Sequence, residues 1–389
     1  MMDAAKEALI RHREWQGKLE TVNKMPIETA DDLSIAYTPG VAAPCLEIAR
    51  DPAQSYVYTG RGHTIAVISD GSAVLGLGNI GPEAGMPVME GKCVLFKALS
   101  GLDAVPLVLG TQDSDELVTI IQALAPSFGG INLEDIAAPR CFEVERRLKE
   151  VLDIPVFHDD QHGTAIVVAA ALENALKLTG KTAPRIVING AGSAGCAIAR
   201  LLLDRGQQDV ILVDRQGILT PDMDLTSGQQ ALIDRLNPSA KTGSLADALA
   251  GADVLIGVSA GHIVDQDMIR SMNPQPVVFA MANPTPEIEP EDAAAAGAYI
   301  IGTGRSDHPN QINNVLAFPG IFKGALAAGA TEINDAMKQA AVSAISSCIP
   351  ADQLAPDHII VSALTPGVAD KVAQAVAQAA RESGVIRHG

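Results

Sequence analysis

Residues 185–214 read RIVINGAGSAGCAIARLLLDRGQQDVILVD. A short apolar run leads into Gly190-Ala191-Gly192-Ser193-Ala194-Gly195, a helix-like alanine and leucine pattern follows, and a second apolar run ends in Asp214. This is a strand, a glycine loop, a helix and a strand in the order of a dinucleotide-binding unit. The glycines allow a tight turn and bring a pyrophosphate close to a helix N-terminus, while the acid closing the second strand can accept a ribose hydroxyl. Gly190, Gly192, Ser193, Ala194, Gly195, Cys196 and Asp214 are therefore candidate cofactor contacts, with a ligand-free glycine turn as the alternative. A second match, Gly76-Leu-Gly78-Asn-Ile-Gly81, lacks the following acid and runs into Pro82, Gly85 and Pro87, which make a poor helix. It reads either as a ligand-facing loop or as a tight structural one.

Working outward, VLIGV, PVVFAM and AYIIGTG continue the alternation of apolar runs with helical or turn material, the pattern of a parallel sheet covered on both faces. TAIVVAAALENALKLTG is a small-residue helix stopping at Gly180. Upstream, TIAVISD and AVPLVLG are strand-like, the latter split by its proline, and GKCVLFKAL is a short helix between them. ELVTIIQALAPSFG and CFEVERRLKEVL are helical, residues 3–20 are helical, and the proline- and glycine-bearing stretches MPIETADD and YTPGVAAP exclude a long regular element. The fold class is α/β: an N-terminal unit over 1–162, then a Rossmann-type doubly wound sheet with C-terminal helices over 163–389. In those last helices Ile333, Met337, Ala341, Ile345 and Cys348 share one stripe, as do Val368, Val372 and Val376, and they fold back on the first domain or meet a partner.

Lys and Arg number 28 against 46 Asp and Glu, a net charge of −18, with only 3% aromatic residues. A binder of phosphate backbones needs the opposite sign, and base-stacking platforms need aromatics, so nucleic acid is excluded. Five scattered cysteines without a CxxC argue for reduced thiols rather than disulfides or zinc. No stretch approaches the ~20 apolar residues of a membrane span, and the first twenty residues mix charges throughout. A soluble, cytoplasmic protein is expected.

Glu134-Asp135 in INLEDIAAP and Asp159-Asp160 in FHDDQHG offer carboxylates without nitrogen or sulfur partners, which suits Mg²⁺ or Mn²⁺. Adjacent carboxylates on a regular strand point to opposite faces, so joint ligation needs irregular backbone. A solvated acidic turn and simple helix capping are the competing readings. Lys92 precedes the apolar run CVLF, where burial would lower its pKa toward that of a general base; a surface lysine remains the alternative, and Lys97 competes for any such role. Tyr37 lies in IAYTPGVAAP, where a buried, chemically silent tyrosine is the competing reading.

Taken together, SIAYTPGVAAPC, SDGSAVLGLGNIGPEAGMPVMEGKCVLFK, INLEDI, PVFHDDQHGTA, INGAGSAG, MANPTPEI and GTGRSDHPNQINNVLAFPGI resemble, in order, the malic enzymes of the short bacterial type, over about residues 20–375. The resemblance implies oxidation of L-malate to bound oxaloacetate with NAD or NADP and metal-dependent decarboxylation to pyruvate. It implies Tyr37 as proton donor and Lys92 as proton acceptor, with Asp159 tuning Lys92. Glu134, Asp135 and Asp160 would be the metal ligands, and Asn283 and Asn314 the contacts to substrate and nicotinamide. Ala73 stands where the larger eukaryotic-type enzymes place a malate-binding arginine. No phosphotransacetylase-like extension is expected from the length. Asp214 favours NAD, while the adjacent Arg215 leaves NADP possible. A homodimer is expected. The alternatives are a malolactic-type lyase that retains NAD and a non-catalytic nucleotide sensor.

Overall fold

The computed structural model describes residues 4–74 and 76–387, which form two parallel sheets sharing a continuous core. The first sheet contains β1 (Thr64–Ser69), β2 (Asp103–Val108), β3 (Gly130–Leu133) and β4 (Val156–His158), in the order β2-β1-β3-β4 and all parallel. The proline in AVPLVLG does not split β2. Pro106 pairs in register with Val67, and β2 is an edge strand, where a residue without an N–H is tolerated.

The second sheet contains β5 (Arg185–Asn189), β6 (Asp209–Asp214), β7 (Gly217–Ile218), β8 (Val254–Gly257), β9 (Val277–Ala280) and β10 (Ile300–Thr303), in the order β10-β9-β8-β5-β6-β7. Only the two-residue β7 runs antiparallel. The chain leaves β5 for β6 on one side and returns to β8 on the other, so the sheet reverses direction beside β5, where ligands of such folds bind at the carboxyl ends of the strands.

The helix Asp159–Thr179 joins the sheets and is buried along most of its length, from Ala165 through Leu172. Its small side chains let it pack closely on both sides. Below it four phenylalanines interlock: Phe96 lies edge-on to Phe318 and Phe322, with centroids 4.7 and 5.5 Å apart, and Phe157 meets Phe322 at 5.9 Å. The C-terminal helices Phe318–Ala327 and Val368–Glu382 pack on each other and on the helix Pro82–Ser100 of the first sheet's layer. Ile333, Met337, Ala341, Ile345, Val368, Val372 and Val376 are all buried, as their stripes require, while Cys348 is half-buried. No helix among the described residues is long and apolar enough to cross a membrane.

Three local expectations change. The helix expected over 3–20 is Ala4–Trp15, residue 3 lying outside the described residues. The turn-rich stretch holds two short helices, Ala30–Ala36 and Ala42–Arg50; the first opens with a capping box in which Thr29 and Asp32 each satisfy the other's backbone N–H. The helix expected at 91–99 begins nine residues earlier, at Pro82. Pro82 sits at its first position, where a missing N–H costs nothing, and the helix carries Pro87 one turn further on.

Candidate active site

Lys92 projects from the helix Pro82–Ser100 and is only 7% exposed. Its Nζ donates to Asp159 Oδ2 at 2.6 Å, lies 2.7 Å from Glu134 Oε1, and sits 4.2 Å from the centroid of the Phe318 ring. Burial pulls the ammonium pKa down, as the sequence suggested, but Asp159 and then Glu134 outweigh it, and the net shift is upward. The expectation of a lysine with a depressed pKa is overturned, because its partners lie 67 and 42 positions away in sequence. Lys97 is 61% exposed and pairs with Asp103 on the surface.

Asp159 and Asp160 are the first two residues of their helix, with His158 as its cap residue and no side-chain cap bond, so they do not act as an N-cap. Asp159 is fully buried, and burial pushes its carboxyl up to about 6 against the pull of Lys92. Gly163, one turn on, makes room for it: a Cβ there would collide with Asp159 Oδ1 and come within 3.2 Å of Asn314 Cβ.

Glu134 and Asp135 follow β3 directly, and Asp135 takes a left-handed conformation at φ 54°, the irregular backbone that two adjacent ligating acids require. Oxygens of Glu134, Asp135 and Asp160 all lie within 4.8 Å of one another. Glu134 Oε2 accepts from the Asn132 amide at 2.8 Å, and Asp160 Oδ2 accepts the Asp135 N–H at 2.8 Å. Burial pushes Glu134 well above the usual carboxylate range; Lys92 opposes this, and Asp160, Asp159 and Asp135 add to it. A divalent cation relieves such crowding of acids, and an all-oxygen donor set fits Mg²⁺ or Mn²⁺.

Lys92, Glu134, Asp135 and Asp160 line an open cleft of about 1040 Å³, together with Asn313, Asn314, Trp15 and Lys18, while Asp159 lies buried behind it. Trp15 and Lys18 carry no motif that points to the cleft. Lys18 reaches the wall by donating from Nζ to the Pro87 carbonyl at 2.6 Å, and its N–H donates to Glu90 Oε2. Ala73 is fixed by a backbone bond from its N–H to the Asp135 carbonyl. Asn283 follows β9, is exposed, and lies in the loop that meets the backbone of Gly76, so GLGNIG is packed against the second sheet's carboxyl edge. Tyr37 is not among the residues lining the cleft: it caps the helix Ala30–Ala36 and is 68% exposed, so it is not a buried tyrosine.

The nucleotide loop follows β5. Gly195 packs against the Gly190 carbonyl so tightly that any Cβ would collide with it. The helix Ser193–Asp204 begins after Gly192 without a side-chain cap, which leaves its first N–H groups for an anion. Cys196 is buried, with Sγ 3.4 Å from the Ala191 carbonyl, and Asp214 ends β6 beside that loop.

The malic enzyme N-terminal domain family matches residues 16–149, and the malic enzyme NAD-binding domain family matches residues 161–381. A protein of Bacillus subtilis (strain 168) named bifunctional malic/malolactic enzyme is 53% identical over 390 residues, covering 99% of this chain and 95% of its own. The NAD-dependent malic enzyme of Geobacillus stearothermophilus is also 53% identical, covering 95% of this chain and 78% of its own. The crystal structure of a malic enzyme from Pyrococcus horikoshii superposes with a TM-score of 0.93 at 47% identity, over 98% of this chain and 92% of that one. With its acids, lysine and nucleotide loop set on that shared frame, the chain belongs to the malic enzyme family.

Proposed function

We propose that this NAD(P)-dependent malic enzyme oxidises L-malate, decarboxylates the bound oxaloacetate and releases pyruvate and CO₂, with Mg²⁺ or Mn²⁺ held by Glu134, Asp135 and Asp160. The observation that carries the reading is one buried lysine between Asp159 and Glu134, on the wall of a cleft shared with the other two acids. A bound divalent cation supplies a Lewis acid for the substrate oxygens and for the charge left as CO₂ departs. Lys92, once neutral, takes the malate hydroxyl proton as hydride leaves for the nicotinamide. A cation on Glu134, Asp135 and Asp160 would offset the acids that raise its pKa, and Asp159, 2.6 Å from its Nζ, holds the lysine in place. Asn314 in the cleft and Asn283 at the end of β9 orient substrate and nicotinamide. Tyr37 protonates C3 of enolpyruvate. NAD is preferred, with NADP possible, because the fixed carboxylate of Asp214 repels a 2′-phosphate.

Residues 1–162 supply the lysine, tyrosine and acids, and residues 163–389 bind the nucleotide; that β1–β4 precede this boundary and β5–β10 follow it supports the division. A homodimer is the working unit. Residues 30–63 hold three α-helices, Ala30–Ala36, Ala42–Arg50 and the one-turn Ser55–Tyr58, with 3₁₀ turns at Pro52–Gln54 and Gly60–His63, and none of these elements has a buried residue. They leave Leu33, Ile35, Tyr37, Leu46, Val57 and Tyr58 more than half exposed, a surface that a second copy would cover. The acidic balance and unpaired thiols fit a cytoplasmic setting.

The test is purified protein with L-malate, Mn²⁺ and each nucleotide separately. A malate-dependent rise at the reduced-nicotinamide band with matching pyruvate is expected; no rise with either nucleotide overturns the reading. The name of the Bacillus subtilis relative favours a second outcome at the same site, lactate without net reduced nucleotide, which a lactate assay on the same samples separates. Asp160→Ala should bind NAD normally yet lose turnover on the order of 10²–10³-fold, the size of removing one stabiliser of transition-state charge. Near-normal turnover in that variant removes the metal assignment.

A further inference from the structure

Gln229 lies in the four-residue helix Ser227–Gln230, far in sequence from the glycine loop, and is only 4% exposed. Its amide is fully engaged. Oε1 accepts the N–H of Thr226 at 2.9 Å, and Nε2 donates both to the Ala191 carbonyl at 3.0 Å and to Asp214 Oδ2 at 3.3 Å. Reversing the amide would set Oε1 against two oxygens and Nε2 against an N–H, so only this orientation is allowed. The other oxygen of Asp214 accepts the N–H of Arg215 at 2.7 Å. The carboxylate is thus pinned at both ends, with a lone pair left on each oxygen for an incoming hydroxyl.

We infer that Gln229 is a positioning residue for nucleotide choice: it ties the loop that receives the pyrophosphate to the acid that reads the ribose, and holds that acid as a fixed anion. The inference rests on the reading of Asp214 as the ribose acid. A free carboxylate could turn away from a 2′-phosphate and let the exposed Arg215 approach it; a pinned one cannot. Gln229 therefore serves NAD binding and rejection of NADP, and leaves the chemistry at Lys92 untouched.

The experiment is calorimetric titration of NAD and NADP into the full chain, with kcat and KM measured alongside. The proteins are wild type, Gln229→Met, Gln229→Glu, Asp214→Ser and the Gln229→Met/Asp214→Ser double variant. Gln229→Met removes both donations; Gln229→Glu keeps the acceptor facing Thr226, so the short helix retains its cap if Met unfolds it. Gln229→Met should weaken NAD binding roughly tenfold, the size of a lost hydrogen bond to a charged group, and shift the NAD-to-NADP ratio toward NADP. Gln229→Glu, which loses the same donations but adds negative charge beside Asp214, should weaken NAD at least as much with no gain for NADP, both with kcat unchanged. In the Asp214→Ser background the second change should add nothing to the ratio. If Asp214→Ser alone leaves the ratio unmoved, the ribose reading falls and the inference with it. If Asp214→Ser moves the ratio while Gln229→Met does not and Gln229→Glu leaves NAD binding unchanged, or if the effects of Gln229→Met and Asp214→Ser simply add, Gln229 is a structural brace only and the ribose reading stands.

Discussion

Lys92 and Tyr37, assigned to the two proton transfers of one reaction, stand in opposite surroundings. Lys92 is 7% exposed, gripped by two acids and set over the face of Phe318, on a helix that belongs to the main core. Tyr37 is 68% exposed on a stretch from 30 to 63 whose helices bury nothing. A group whose proton affinity is set by nearby charges needs a rigid, dry wall to fix them, and the lysine has one within its own chain. The tyrosine has none among the described residues; in the homodimer proposed above, a second copy would supply it, and the exposed apolar side chains around it would mark the contact.

The largest effect should come from separating the two. Lys92→Ala and Tyr37→Phe should each lose about 10²–10⁴-fold in malate turnover, the usual contribution of a positioned acid or base. Tyr37→Phe should still reduce supplied oxaloacetate, and Lys92→Ala should not. If the exposed arm of one copy, residues 30–63, completes the cleft of another, mixing the two inactive variants after subunit exchange restores about a quarter of wild-type sites, as random pairing of closed dimers dictates. No recovery, with exchange verified by mass, places Tyr37 beside the cleft of its own chain.

Next comes the packing behind the lysine. Replacing glycine by alanine inside a helix ordinarily stabilises by about 1 kcal/mol. Gly163→Ala should do the reverse, because the added methyl collides with Asp159 Oδ1 and pushes the carboxylate off Lys92. A misplacement of about 1 Å costs on the order of 10²-fold in rate, and kcat should carry it while NAD affinity stays. Unchanged kcat would mean that Asp159 does not position the lysine.

How far the sequence could be read follows the same divide. The Rossmann half was legible because its signal is local: strand, glycine loop, helix and acid lie within residues 185–214, and the structure places β5, the helix Ser193–Asp204 and β6 there. The acids and lysine could be named as candidates, but the sign of the lysine's shift could not, since Asp159 reaches it only through the packing of two distant helices. The start of the helix Pro82–Ser100 is hidden in the sequence, because two prolines look like breakers when neither their place in the first turns nor the contact of Pro87 with Lys18 is visible. Gln229 carried no motif at all. Exposure of the arm was equally hidden: Leu33, Ile35 and Val41 look like core in a sequence.

That last ambiguity gives a stability contrast. Phe96→Ala removes an aromatic packed on two others and should lower unfolding stability by about 3–5 kcal/mol. Ile35→Ala, at a side chain 69% exposed, should stay within about 0.5 kcal/mol when urea denaturation is measured on dilute monomer. At higher concentration Ile35→Ala should instead weaken association by sedimentation, because stability and assembly are then linked. A large loss in the monomer would show that residue 35 packs on its own chain.

The smallest effect uses the thiols as reporters of the same two regions. Burial pushes Cys93 and Cys141 up to about 12 and Cys196 up to about 11, and it raises half-buried Cys348 as well. Only the thiolate attacks an alkylating agent, and at pH 7.5 a thiol with pKa 11–12 is ionised roughly once in 10³–10⁵ molecules, besides being out of reach. Cys45 lies exposed on the arm helix Ala42–Arg50. Iodoacetamide should therefore add one label to the native chain, at Cys45, and five to the unfolded chain. If the arm docks on a second copy, labelling of Cys45 should slow several-fold as concentration rises through the association range, and Ile35→Asp should restore the fast rate. Early labelling of Cys93 or Cys141 would contradict the sealed core beside Lys92. A Cys45 rate that ignores concentration would mean that the helix Ala42–Arg50 stays in solvent, and a contact fixing Tyr37 would have to run through the helix Ala30–Ala36 alone, at Leu33 and Ile35.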